Sequence, residues 1–346
     1  MRNKLIVLAM LGLTAAAGIS SYFGRVWVAE ALDNGPFHIE IAAQLVLLDP
    51  ENSGSQSVGA LTYVRGWSLS SESDDFGGFS GLVVSDDGTS LVAINDKGDW
   101  LTADMALGSK KPLQKALIYP FEKGAHGDLK SAYDAESLLQ LNDGFLVGFE
   151  QEHRILEVGA VGGNNSVSAF GAQADLGSLA DNGGIEAMTF LADGRLLMFG
   201  EKGLDQQGTL PVWLASKTSG TSLRFKPPFN FSPTDAATLP NGDVLLLTRY
   251  YSAFDGVSAK ILRIAADDIK EGAVLQGEEI AHFSPSMTVD NMEALDLRQL
   301  ADGTIRLYIM SDDNFRSAQR TLLMIFDWQP EHTLVMKVYE KAATNR

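Results

Sequence analysis

Acidic residues in this 346-residue chain recur at the open ends of short apolar hairpins. In the segment 182–201, Glu186 opens the first apolar run, Glu201 closes the second, and Asp193-Gly194 separates them. Asp-Gly between apolar runs signals a hairpin, and a two-residue type I′ loop there sets Glu186 opposite Glu201. The same reading about Asp302-Gly303 sets Glu293 opposite Asp312, with Asp313 next. About Asp143-Gly144 it sets Glu136 opposite Gln151, beside Glu150. About Asn241-Gly242 it sets Asp235 opposite Thr248, beside Arg249, and about Asp87-Gly88 it sets Ser80 opposite Asn95, beside Asp96. Like charges brought together in this way repel unless a proton or a cation intervenes.

Oxygen donors in an irregular ring suit Ca2+, which takes roughly six to eight of them, better than compact Mg2+. Glu136, Glu186, Asp235, Glu293, Asp312, Asp313 and Asp96 are the expected metal ligands, and Ca2+ is the expected ion. Glu150 or Glu201 is expected to act as the base that takes a proton from water, and Arg249 to clamp a developing oxyanion. The turn acids Asp87, Asp143, Asp193 and Asp302 belong to turn chemistry at the other end of each hairpin. There is no cysteine, which excludes thiolate metal sites and cysteine nucleophiles. The five histidines are scattered, and only His153 falls near the expected opening. No G-x-S-x-G elbow is present, which disfavours a serine esterase mechanism.

The elements that must position these acids repeat with a period of about 50 residues. Five such hairpins can be read, with turns at Asp87, Asp143, Asp193, Asn241 and Asp302. Hairpins at this period predict an all-β propeller of four-stranded blades, whose innermost hairpins converge on one axis. Length divided by period predicts six blades, five of them with clear hairpins. Apolar runs at 38–48 and 60–71 are expected to pair with C-terminal strands at 321–328 and 332–340 and so close the ring. The predicted layout is a secretory signal peptide at 1–17, a spacer at 18–37 and a single propeller domain at 38–346. Arg2, Lys4, an apolar core and Ala15-Ala16-Ala17 carry the signal reading; an uncleaved anchor over 5–24 is the alternative.

A net charge of −17 argues against nucleic acid or anionic membrane surfaces as partners. The expected protein is an exported monomer, periplasmic or secreted, acting on a small ester or phosphoester. Any membrane contact would run through the N-terminal segment.

The combination SGL…DDG…AINDKG, DAESL…DG…GFEQEHRI, NGGIEAM…DGRLL…E, PTDAATLPNGDVLLLTR and DNMEAL…SDDNF…QRTLL resembles the phytase-like, "esterase-like activity of phytase" family of exported bacterial proteins, over about 76–326. The resemblance implies a propeller similar to the calcium-dependent alkaline phytases, with its site at an acidic central opening. It implies Asp134, Glu136, Glu150, Glu186, Glu201, Asp235, Asn291, Glu293, Asp312 and Asp313 as site residues. The sequence departs from that likeness in its cations, since only Arg249 and Arg154, with Lys97 and Lys202 near them, could meet phosphate. The expected activity is metal-dependent hydrolysis of phosphate or carboxylic esters. A calcium-binding scaffold without turnover and a lactonase-type hydrolase are the alternatives.

Overall fold

The computed structural model describes residues 35–120, 134–150, 154–162, 167–169, 184–216 and 218–330. The expected signal segment, Gln151, His153 and the apolar run at 332–340 lie outside the described residues. Among the described residues, no helix is long and apolar enough to cross a membrane. His38–Arg346 forms one compact unit.

Alternating apolar residues punctuated by glycine turns fold here as five antiparallel sheets in succession. The first blade holds Phe79–Val84, Ser90–Asn95, Trp100–Met105 and Leu113–Tyr119, and the second holds Ala135–Leu141, Gly144–Phe149, Arg154–Gly159 and Val167–Ala169. The third holds Ile185–Phe190, Leu196–Gly200, Leu210–Ala215 and Gly220–Phe225, with Val274–Leu275 added in parallel at its edge. The fourth holds Ser232–Thr238, Val244–Ser252, Gly256–Ile264 and Glu278–Phe283. The fifth runs Asn291–Gln299, Ile305–Asp312, Thr321–Trp328, Leu61–Ser71 and Ile41–Leu45, so strands from both ends of the unit share one sheet. This is a five-bladed β-propeller arrangement, where division by the repeat period had predicted six. The difference is taken up by long connections and by the N-terminal strands, which widen the fifth sheet and do not begin another.

The first strand of each blade lies at the inner edge of its sheet and packs against its counterparts in the neighbouring blades. Apolar seams fill the space between sheets. Trp100 meets Phe145 at 5.1 Å between the first two blades, and Phe283 meets Phe326 at 5.2 Å between the last two. Each such fully buried side chain contributes about 1.5–3 kcal/mol. Inner strands approach closely enough to exclude a side chain at Gly81, where an added Cβ would stand 2.5 Å from the Cβ of Leu138.

Buried carboxylates tie blades together through backbone N–H groups. Asp235 accepts from Ala236 N at 2.8 Å and from Leu295 N of the next blade at 2.7 Å. Asp296 accepts from Leu297 N at 2.8 Å and from Val84 N at 2.6 Å. Burial pushes the Asp235 carboxyl well up from its ordinary range, against the pull of its two N–H donors. Asp235→Ala leaves both N–H groups without an acceptor and is expected to cost on the order of 2 kcal/mol. Urea unfolding should show the lower midpoint, with Asp235→Asn, which keeps one acceptor, less affected.

Two local features move the strand register away from the expected type I′ pairing. The turn glycines have positive φ, 83° at Gly194 and 88° at Gly303, whereas Asp193 and Asp302 do not. Gly194 N bonds Leu191 O at 2.9 Å and Leu191 N bonds Arg195 O at 2.8 Å, a type I turn finished by a left-handed glycine. Pairing therefore begins at Phe190↔Leu196, one residue away from the expected register. The second feature is a β-bulge in every inner strand. The unpaired extra residue is Ser80, Glu136, Glu186, Thr234 and Glu293 in blades one to five. A bulge turns one side chain away from the pleat alternation, and here it does so five times at the same height.

Candidate metal centre

Because the bulges coincide, two sets of equivalent positions face the axis at one mouth. The bulge residue supplies the first set. The residue that follows the partner of the pre-bulge position supplies the second: Asp96, Glu150, Glu201, Arg249 and Asp312. Backbone bonds fix two of these directly, Asp96 N to Gly78 O at 2.9 Å and Glu150 N to Asp134 O at 3.0 Å. Glu186 is thus not the cross-strand partner of Glu201. It is the extra residue beside Ile185↔Gly200, and Glu293 is likewise the extra residue beside Met292↔Ser311.

Electrostatics show that these side chains converge. Burial raises Glu136 well above its ordinary range, reinforced by Glu186, Asp96, Asp134 and Glu293. Burial does the same to Glu186, with Glu201, Glu293 and Glu150 adding to it and Arg249 opposing. Glu293 is pushed to about 8 by burial, against Arg249 and with Asp312 and Glu201. Asp312 is pushed to about 7 by burial and then Asp96. Glu150 is raised by burial, against Lys202. Acids from four different blades thus act on one another here.

The cations are few and committed. Arg249 Nε lies 2.8 Å from Glu293 Oε1, with its N–H directed off that line, and Arg249 Nη2 lies 3.5 Å from Glu201 Oε1. Lys202 bridges Glu201 at 3.1 Å and Glu150 at 3.7 Å. Lys97 turns outward, 2.8 Å from Asp74 O and 3.9 Å from the Phe315 ring centre, and Arg154 lies 4.9 Å over the Phe149 ring.

The oxygen set suits a hard cation. Asp134, Glu136 and Glu150 each offer an oxygen within 4.8 Å of the others, a spacing that an ion at about 2.3–2.6 Å from its ligands spans. Gly184 leaves the room they need, since a Cβ there would stand 2.9 Å from Glu150 Cγ and 3.1 Å from Glu186 Oε1. Glu186 is 6% exposed and, among the described residues, has neither a hydrogen bond nor an ion pair.

Of the expected site residues, Glu136, Glu150, Glu186, Glu201, Arg249, Glu293, Asp312 and Asp96 meet at this mouth. Asp235 does not join them, because its oxygens serve as the clamp between blades described above. Asp313 is also engaged elsewhere: Oδ1 accepts from Gly78 N and Phe315 N, both at 3.0 Å, and Oδ2 accepts from Thr321 at 2.9 Å. Asp134 entered the expectation only through the family resemblance. Its signal lies in lining up the repeats at the bulge, where Gly78, Asp134, Gly184, Ser232 and Asn291 fall at one position.

Fold and site together define a five-bladed propeller with an axial, acid-lined mouth able to hold a metal ion. The chain belongs to the phytase-like family described as "Esterase-like activity of phytase", whose profile matches residues 74–315. No curated protein matches the chain. Similar solved structures include a luciferin-regenerating enzyme, at 10% identity and TM-score 0.41, covering 73% of this chain and 93% of that one. A putative 6-phosphogluconolactonase from Bacteroides uniformis is 12% identical at TM-score 0.33, covering 82% and 81%. The β-propeller domain of Swd1 from Myceliophteria thermophila is 8% identical at TM-score 0.37, covering 82% and 99%.

Proposed function

We propose that this is an exported, Ca2+-dependent hydrolase of phosphate or carboxylic esters, acting at the acidic axial mouth. The observation that carries the reading is the Asp134–Glu136–Glu150 trio, its aspartate buried and its two glutamates half-buried, beside the buried Glu186. Carboxylates crowded into a partly dry site repel one another, and a divalent ion offsets that cost where solvent cannot. Asp134, Glu136, Glu150 and Glu186 would hold the ion. When bound, it would supply Lewis acidity toward an ester oxygen and lower the pKa of a water.

The remaining groups have roles that follow from their positions. Glu150 or Glu201 was expected from the sequence to serve as the base; with Glu150 among the ligands and Glu201 engaged by Lys202 and Arg249, proton uptake is assigned to Glu293. Glu293 faces the same space, and burial holds its proton affinity high, at about 8. The Arg249 guanidinium contacts Glu293 with Nε and Glu201 with Nη2, and presents its remaining edge to the mouth to orient an anionic ester oxygen. Lys202 bridges Glu201 and Glu150 and offsets their mutual repulsion.

Hydrolysis of p-nitrophenyl phosphate or p-nitrophenyl acetate should appear with Ca2+, vanish with chelator and return on adding the ion back. A protein whose melting temperature follows Ca2+ while no ester in a broad panel turns over would be the scaffold, and the hydrolase reading would fall.

A further inference from the structure

Resting on the reading of the mouth as an ester site, we propose that the fourth blade carries a wall for the part of the substrate that does not react. The ester it takes is then amphiphilic, with one polar reacting group and a flat apolar body laid against Tyr251 and Phe254.

The fourth blade raises a hairpin above the mouth where the others stop. Their second strands end at Asn95, Phe149, Gly200 and Asp312, at the axial position or one residue before it, whereas the fourth runs on to Ser252, three residues past Arg249. Its pairing with the third strand is unbroken from Arg249↔Ala259 to Ser252↔Gly256. At about 3.4 Å per residue, the hairpin stands about 10 Å beyond Arg249. Strand alternation puts Tyr251 on the face that carries Leu245 and Leu247 into the seam with the fifth blade, and Arg249 onto Glu293. Tyr251 is 65% exposed and Phe254, at the tip, is fully exposed.

The hairpin holds these two side chains in a fixed setting. On its other face Tyr250 packs on Phe231 at 5.7 Å and donates its hydroxyl to Asp255 at 2.8 Å. The Ser252 hydroxyl donates to Asp255 at 2.9 Å and accepts from Asp255 N at 2.9 Å. The exposed aromatics are also gathered at one end of the molecule. Among the described residues they are Phe229, Tyr251, Phe254 and Phe315, and each lies in a loop or hairpin on the mouth side. Leu204, also exposed, follows Glu201 and Lys202 on the third blade and joins the same rim.

A polar mouth with an apolar wall on one side fits a molecule of two parts. An ester oxygen oriented by Arg249 leaves the rest of the substrate beside Tyr251, two residues and about 7 Å farther along the strand, within reach of a ring-sized group. A substrate charged on every side would gain nothing from the wall and would be repelled by the acids. Stacking of a flat apolar group on an aromatic side chain is worth up to about 10-fold in affinity.

The test reads binding and does not depend on turnover. Methylphosphonate and benzylphosphonate carry the same anionic head, resist hydrolysis and differ in the ring. Titrated by calorimetry into Ca2+-loaded full-length protein, benzylphosphonate is expected to bind about 10-fold more tightly. Tyr251→Ser combined with Phe254→Ser should remove most of that preference and leave the affinities for methylphosphonate and Ca2+ unchanged. Both side chains stand in solvent, so the urea midpoint should not move. Equal wild-type affinities for the two phosphonates, or a preference that the double variant keeps, overturns this inference and leaves the ester site standing. A dimer in solution that the double variant dissolves also overturns it, since the wall would then be a contact between copies. Ca2+-loaded protein that binds neither phosphonate removes the ester site and the wall with it.

Discussion

Glu186→Gln is expected to stabilise the metal-free protein and, in the same stroke, to abolish its response to Ca2+. The carboxylate is buried, is raised well above its ordinary range by burial and then by Glu201, Glu293 and Glu150, and has no hydrogen-bond partner among the described residues. Carrying that charge, or the proton that cancels it, is a cost the fold bears for the sake of an occupant. An amide of the same shape removes the charge and leaves the packing around Gly184 unchanged. Urea unfolding at pH 8 in chelator should show a gain on the order of 2 kcal/mol. Ca2+ affinity should fall by at least about 10–100-fold, and ester turnover with it. A purely structural Glu186 gives the reverse pattern, with lower stability in chelator and an unchanged Ca2+-induced shift in melting temperature.

Much of this arrangement was legible in the sequence because it repeats. Asp-Gly and Asn-Gly turns mark the five inner hairpins, and the acids at their open ends do meet at one mouth. What the residues could not display was the bulge. An extra residue in a strand has no composition of its own, and Ser80, Thr234 and the three glutamates share no side-chain signature. Together with the left-handed turn glycines, the bulge changes which residues face each other while keeping them at the same height. The gathering of Glu186 with Glu201 and of Glu293 with Asp312 therefore survived a register that was off by one.

Asp235 and Asp313 show the opposite error. By residue type and location they look like ligands, but one residue along the strand from the bulge a carboxylate points between blades and meets backbone N–H groups. Two residues before the bulge, a side chain points back toward the axis, which is where Asp134 and Asn291 stand. Blade count failed for a different reason. The period is a property of hairpins, while the length outside hairpins goes into loops and into the N-terminal strands of the fifth sheet.

Metal-free protein is expected to lose stability as pH rises from about 4.5 toward about 8, and Ca2+ is expected to reverse that slope. Glu293 titrates at about 8 and Asp312 at about 7 in the folded protein, both raised chiefly by burial. Asp296 is also raised to about 7 by burial, at the far end of the inner strands. The unfolded chain releases the same protons near pH 4. Between those limits the folded state holds protons that the unfolded state has given up, so the contribution is complete below the unfolded values and disappears as pH climbs through 7 and 8. Turn acids such as Asp87, lowered to about 2 by hydrogen bonds from Thr89 and Ser85, act in the other sense and only below pH 4. A divalent ion binds the deprotonated acids, so its stabilising effect should grow as the protons leave. Melting curves from pH 4.5 to 9, in chelator and in millimolar Ca2+, should coincide at the acid end and separate by on the order of 5–10 °C at the alkaline end. Curves that stay parallel across that range would mean these carboxylates bind no metal, and their mutual repulsion would need another purpose.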